Sequence, residues 1–329
     1  MIQPSQHLNP DIYSDKLEHA PTRRGFGEGL LEVGKSDSSV VALCADLTES
    51  TQMQLFRDEF PDRFIEVGIA EQNLVTVASG LAAVGKKPFV SSYAAFSPGR
   101  NWEQIRTTIA LNDQPVVIVG SHAGLSVGPD GATHQMLEDI ALMRVLPNMT
   151  VLVPADIHEA RKAVLAVANL GHPAYIRLAR EKTAVITTPE TPFEIGKAQI
   201  LHEGEDVAIF ACGPLLHEAL LAARALEQAG VRAEVVNVAT IKPLDESTII
   251  ASVRKTGAVV TVEEGQVAGG LGGVIAELLV EQLPTPLRRI GVADKFGQSG
   301  NVAQLWQAYG LNAEAITTAA QDVVKRKVI

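Results

Sequence analysis

Residues able to do chemistry stand at the ends of several apolar stretches. Asp46 opens the run Asp46-Leu47-Thr48-Glu49-Ser50 after one stretch, and Glu71 follows just past another. Tyr93 and Phe96 come after a third. Ser121-His122 through His134, with Asp130 between them, follow a fourth, and Arg180 follows a fifth. In open parallel sheets, ligands bind beyond the carboxyl ends of the strands. A carboxylate, two aromatics, two histidines and an arginine converging there suit a flat heterocycle and an anion. Each also has an ordinary structural use: an acid in a first helical turn favours the dipole, and paired rings fill cores. The long loop from His122 to His134 matches no compact zinc spacing, so no metal site is expected. Gly124, Gly128 and Gly131 make that loop sharply turned.

The glycine-rich run from Gly265 to Gly273 reads as a tight strand-to-helix turn, because it is not a dinucleotide fingerprint. No Gly-x-x-x-x-Gly-Lys-Ser/Thr loop and no Gly-x-Ser-x-Gly elbow occurs. These absences weigh against a P-loop nucleotide enzyme and against that type of hydrolase.

The elements that must position these groups follow from composition and periodicity. The 329 residues are 46% hydrophobic and 20% charged, which fits a globular chain of two domains. With 28 basic against 38 acidic side chains the net charge is -10, so bulk nucleic-acid binding is not expected. An anionic substrate needs a local basic cluster working against that field. No apolar run is long enough to span a membrane, and the first residues lack a secretory pattern. Two cysteines, Cys44 and Cys212, exclude a disulfide framework and suit a reducing cytoplasm.

Continuous apolar runs predict parallel strands buried on both faces at 40–44, 64–67, 88–92, 116–120, 150–153 and 175–178. Helices are predicted at about 24–33, 52–60, 70–84, 100–111, 135–145 and 157–170. The stretch Thr187-Thr188-Pro189-Glu190-Thr191-Pro192 reads as a linker. The pattern then restarts, with strands at 207–211, 234–238, 258–262 and 288–292 and helices at about 215–229, 245–253 and 272–282. The expected fold class is therefore α/β: two domains, 1–188 and 193–329, each a mainly parallel sheet flanked by helices.

At this point the motifs resemble a known family. The segment from Phe64 to Asn73, containing Ala70-Glu71-Gln72, is similar to the pyrimidine-binding domain of thiamine-diphosphate enzymes. Ser91-Ser92-Tyr93-Ala94-Ala95-Phe96, Trp102-Glu103-Gln104-Ile105-Arg106 and the loop Gly128-Pro129-Asp130-Gly131-Ala132-Thr133-His134-Gln135 narrow the resemblance to transketolases. Cys212-Gly213-Pro214 and Glu263-Glu264-Gly265 resemble that family's C-terminal domain. The diphosphate-binding Gly-Asp-Gly of whole transketolases occurs nowhere here. The chain thus resembles the C-terminal subunit of a split transketolase.

The resemblance implies ketol transfer from a ketose phosphate to an aldose phosphate in the pentose phosphate pathway, with thiamine diphosphate as cofactor. It implies that Glu71 hydrogen-bonds the aminopyrimidine, that Tyr93 and Phe96 stack around it, and that Asp46 lies near the cofactor at the subunit interface. Arg23, Ser50, His122 and Arg180 match the sugar-phosphate binders, Asp130 the carboxylate reading hydroxyl stereochemistry, and His134 a histidine near the reacting carbonyl. The family's third pyrimidine aromatic has no counterpart at Gly99 and Arg100. An N-terminal subunit is the implied partner. It would carry Mg²⁺ (or Ca²⁺) with the diphosphate, in a dimer of heterodimers. The rival resemblances are the C-terminal part of deoxyxylulose-phosphate synthase, a 2-oxoacid dehydrogenase beta subunit, and a non-catalytic half-enzyme.

Overall fold

A computed structural model describes residues 2–327, so the expected outer domain limits at 1 and 329 lie outside the described residues. In chain order the strands are β1 (His19–Pro21), β2 (Val40–Cys44), β3 (Phe64–Glu66), β4 (Lys87–Tyr93), β5 (Val117–Ser121), β6 (Thr150–Leu152) and β7 (Ala174–Arg177). They continue with β8 (Lys182–Ala184), β9 (Gln199–His202), β10 (Val207–Ala211), β11 (Ala233–Asn237), β12 (Thr240–Lys242), β13 (Val259–Gln266) and β14 (Leu287–Val292). β2, β5 and β10 are buried at every position, which is why their runs read as continuous rather than alternating.

The larger sheet has the order β12-β6-β7-β5-β4-β2-β3 and the smaller β14-β13-β10-β11-β9, while β1 pairs with β8. Pairing is parallel from β3 through β6 in the larger sheet and among β14, β13, β10 and β11 in the smaller. This is the mainly parallel two-sheet α/β architecture anticipated from the sequence. Three departures stand out. The pairs β1/β8, β9/β11 and β12/β6 are antiparallel, and none of β1, β8, β9 and β12 was anticipated. β12 lies in the second half of the chain yet extends the larger sheet. The helix expected at 100–111 is a short α-turn, Trp102–Gln104, running into a π-turn, Ile105–Ala110.

Alternate residues of β2 enter different cores. Val40, Ala42 and Cys44 pack with Phe26, Leu30 and Ala163, whereas Val41 and Leu43 pack with Leu74, Ala78 and Ile118. Helices Thr22–Ser36 and Ile157–Val167 cover the first face at close range: a Cβ on Gly25 would lie 2.1 Å from the carbonyl oxygen of Ile157. The second core continues through Val151 and Val153 to Phe210, Val236 and Leu271. One apolar mass therefore joins the two sheets. Ile12 and Leu17 pack into a further cluster with Leu216, Leu220 and Val323.

The expected linker is pinned rather than loose. Asp156, which caps helix Ile157–Val167, also accepts hydrogen bonds from the backbone N–H groups of Ile186 and Thr187 and from the Thr187 hydroxyl. Lys162 donates to the carbonyl oxygen of Thr188. Among the described residues no helix is long and apolar enough to cross a membrane, and no group of three or more His, Cys, Asp or Glu could hold a metal ion.

Candidate active site

Apart from Asp46, the groups singled out from the sequence gather at the carboxyl edge of the larger sheet. Tyr93 ends β4, and His122 follows β5 directly. Their rings stack with centroids 3.9 Å apart, and Phe96 lies nearly parallel to Tyr93 at 6.1 Å. His134 meets Phe96 edge-on at 5.5 Å and Tyr93 at 6.2 Å. Edge-to-face and offset pairs of this kind suit the ring quadrupoles. The Tyr93 hydroxyl is 2.7 Å from the Ser50 hydroxyl, and Arg23 donates to the Ser50 carbonyl oxygen at 2.7 Å. Arg180 donates to the carbonyl oxygen of Val127 at 2.6 Å and lies 3.6 Å from the Asp130 carboxylate.

His122 has φ of 57°, a left-handed conformation that costs a non-glycine residue about 1–2 kcal/mol. Such strain clusters at functional sites. Its Nδ1 is 2.8 Å from the Ser121 hydroxyl. Burial, then the neighbouring charges of Arg23 and Arg180, push its pKa down to about 3. The folded value lies below the unfolded one, so the imidazole is neutral near pH 7. The folded state loses relative stability as pH falls from about 6.5 toward 3, because only the unfolded chain then takes up the proton. In histidine-labelled NMR spectra of the free chain, the His122 resonance should stay flat from pH 8 to 5. A midpoint above pH 6 would contradict this environment.

Glu71 opens helix Glu71–Ala83, where its charge complements the free N–H groups of the first turn. It is buried, and Asn101 donates to its backbone carbonyl at 2.8 Å. Among the described residues its Oε2 has no hydrogen-bond partner. The Arg100 guanidinium bridges the gap to the rings: Nη1 is 3.9 Å from that oxygen, and Cζ is 5.9 Å from the Phe96 centroid. Arg100 thus stands where no third aromatic was found. Asp46 is exposed, at the start of the Ser50 loop, and no contact among the described residues joins its side chain to the rings. Its backbone N–H donates to Glu66 Oε1 at 2.7 Å, as does that of Gly68 at 3.0 Å. Glu66 so ties the Asp46 loop to the turn before Glu71, a role that its surface-strand position did not reveal.

The glycine-rich turn after β13 is already filled. Glu263 accepts from the N–H groups of Leu271 and Gly272, at 2.9 and 2.8 Å, and occupies the helix end where a phosphate would sit. Burial pushes its pKa up to about 7 against the pull of those two donors. A Cβ on Gly270 would fall 1.8 Å from this carboxylate, which is why that position carries no side chain. Also unforeseen were Ser126, Gln135, Trp306 and the side chain of Glu264. The one available signal was a pair of acids at the end of an apolar strand, where burial demands partners.

The larger sheet, which carries the buried Glu71 carboxyl and the stacked rings, and the smaller sheet joined to it correspond to two known domains. Residues 18–185 match the transketolase pyrimidine-binding domain, and residues 196–316 match the transketolase C-terminal domain. The chain belongs to the transketolase family.

Within that family it has the two-domain make-up of the C-terminal section. It is 45% identical, over 93% of its length and 96% of the other's, to a Methanocaldococcus jannaschii protein described as "Putative transketolase C-terminal section". It is 43% identical, over 95% of its length and 97% of the other's, to the 6-deoxy-6-sulfo-D-fructose transketolase subunit SqwH of Clostridium sp. (strain MSTE9). Among solved structures it is similar to a split-gene transketolase described as an inactive beta4 tetramer. The TM-score is 0.88 at 45% identity, with 94% of this chain and 99% of that chain covered.

Proposed function

We propose that this chain is the subunit of a split transketolase that holds the aminopyrimidine of thiamine diphosphate and the sugar phosphate. The observation that carries the reading is the orphaned Glu71 Oε2, buried beside Arg100, whose guanidinium in turn lies over the Phe96 ring that stacks on Tyr93. A buried acceptor left unpaired costs about 1–3 kcal/mol, and a protonated heterocyclic nitrogen, donating its N–H, is the partner that would relieve it. The residues fit the pyrimidine half of the cofactor. They do not offer a diphosphate site, since Glu263 fills the glycine-rich turn. The diphosphate, with Mg²⁺ or Ca²⁺, falls to an N-terminal partner subunit.

When bound, thiamine diphosphate supplies the carbanion chemistry of ketol transfer. Glu71 orients the pyrimidine and holds a proton at the ring nitrogen. Tyr93 and Phe96 cover its faces and exclude water. Asp46 stands at the rim, where the partner would close over the cofactor. Across the rings, Arg23, Ser50, His122 and Arg180 receive the sugar phosphate; guanidinium forks bind phosphate through paired charge-assisted bonds. Neutral His122 can donate to or accept from a sugar hydroxyl, Asp130 reads stereochemistry, and His134 faces the reacting carbonyl. A cytoplasmic setting suits the two buried free thiols.

The test is to mix the chain with its N-terminal companion and assay transfer from xylulose 5-phosphate to ribose 5-phosphate. Transfer is expected only in the mixture, from a dimer of heterodimers. Turnover by the chain alone would remove the split reading. A 6-deoxy-6-sulfo sugar is the second donor to try, because the Clostridium relative is named for one. Pyruvate with a triose phosphate covers the deoxyxylulose-phosphate alternative.

A further inference from the structure

The loop that carries His122, Asp130 and His134 has hydrogen bonds of its own, such as Gly124 N–H to the Met136 carbonyl oxygen, and is held from two sides as well. On one side Arg180 grips it, donating to the carbonyl oxygen of Val127. On the other side it rests on the smaller sheet and the segment after β14. Glu264, near the end of β13, is buried, and its carboxylate accepts three hydrogen bonds. The backbone N–H of Ser126 donates to Oε1 at 2.6 Å, the Ser126 hydroxyl to Oε2 at 3.0 Å, and the Trp306 indole N–H to Oε1 at 2.9 Å. Gln135 is also buried; its Nε2 donates to Gln298 at 2.9 Å, to Leu125 at 3.2 Å and to Gly128 at 3.3 Å, all through carbonyl oxygens.

The loop's glycines fit the same close approach. A Cβ on Gly124 would come 2.5 Å from Glu264 Oε2, and one on Gly131 would come 2.6 Å from the Ser299 hydroxyl. Both also have positive φ. Arg177, in β7, ties the framework across the sheets: it donates to the Glu264 carbonyl oxygen at 2.7 Å and to the Asp139 carboxylate at 2.9 Å.

Resting on the transketolase reading above, we propose that Glu264 is a positioning residue for sugar-phosphate binding. It anchors Ser126 from the second domain, so that the adjacent Val127 carbonyl holds Arg180, and Asp130 and His134 keep their places. The second domain then serves the site through the Glu264–Trp306 clamp, without touching substrate or cofactor. Glu71 lies on helix Glu71–Ala83, apart from the clamp, and Tyr93 and Phe96 are held by β4 and the turn after it, meeting the loop only through the rings of His122 and His134, so sugar and cofactor should respond differently.

The experiment uses Trp306→Phe and Ser126→Ala, each removing one donor to Glu264, beside Glu264→Ala and the conservative Glu264→Gln. Two arms are read. In the chain alone, amide hydrogen exchange across residues 124–135 should quicken by about tenfold, the equilibrium loss of one hydrogen bond to a charged group. Exchange in helix Glu71–Ala83 should stay unchanged. In the complex with the N-terminal subunit, the sugar-phosphate KM should rise by a similar factor. The thiamine diphosphate affinity should stay at the wild-type value, and Glu264→Gln should recover part of the loss seen in Glu264→Ala. An unchanged exchange rate and KM in Trp306→Phe and Ser126→Ala would overturn the clamp. So would a parallel fall in cofactor affinity, sugar affinity and melting temperature, which marks a merely structural role. If the wild-type complex transfers no ketol unit, the transketolase reading fails by itself, and the exchange arm still decides whether Glu264 anchors the loop.

Discussion

Glu71→Gln should reduce ketol transfer by the reconstituted complex by about a thousandfold while leaving the melting temperature of the chain unchanged or slightly higher. General acid–base groups typically contribute 10²–10⁴-fold, and the amide keeps the shape of the carboxyl but cannot hold and release a proton. The stability half of the expectation comes from the chain's own geometry. Among the described residues Oε2 of Glu71 makes no hydrogen bond, and the cation beside it, Arg100, is 3.9 Å away and 60% exposed. An exposed, water-screened cation contributes little to holding a buried charge, so its loss costs the fold little. Kinetics and thermal melting on the same preparation separate the two effects. A variant within tenfold of wild-type activity would remove Glu71 from the chemistry, and a drop in melting temperature of several degrees would show its charge to be structural.

The second large effect is expected at the arginines. Arg180→Met and Arg23→Met should each raise the sugar-phosphate KM by about 10- to 100-fold, from about 1.5–3 kcal/mol for a hydrogen bond to a charged group. Their effects should not simply multiply. Both guanidinium groups act on His122, so removing either relieves part of what depresses its pKa, and neighbours that share a partner are coupled. Arg180→Lys should recover little of the loss. Arg180 already spends one N–H on the Val127 carbonyl oxygen, and an ammonium group cannot keep that bond and still present a planar fork to a phosphate. Steady-state kinetics with varied donor sugar at saturating cofactor reads this directly. An unchanged KM in Arg180→Met would send the phosphate elsewhere.

The parallel framework was legible because burial on both faces leaves an unbroken apolar run. Val40–Cys44 and Val207–Ala211 fall where the sequence places them. The antiparallel additions were not legible. Thr240–Lys242 is three residues, too few for an alternation to register, and its partner, Thr150–Leu152, lies far back in the chain, so nothing local marks it. The pinned segment after Ile186 also escaped, because prolines and threonines read as loop unless the bonds to Asp156 are known. Helices Val302–Tyr309 and Ala313–Val324, though capped by Asn301 and Asn312, were not anticipated either.

At the site, residue types at strand ends announced the rings, His122 and Arg180. The role of Glu264 was hidden, since its partners Ser126 and Trp306 are distant in sequence on both sides. Arg100 was noticed only as the absence of an aromatic. Its nearness to Glu71 is a tertiary fact.

The strand contributed across the sheets by Thr240–Lys242 has a consequence for anyone cutting or shuffling this protein. A fragment severed after Arg180 would bare the backbone of Thr150–Leu152 as a raw rim, open to pairing with any passing chain. The two halves look like separable modules in a diagram, yet a graft that carries only the first inherits an unfinished border and a tendency to clump.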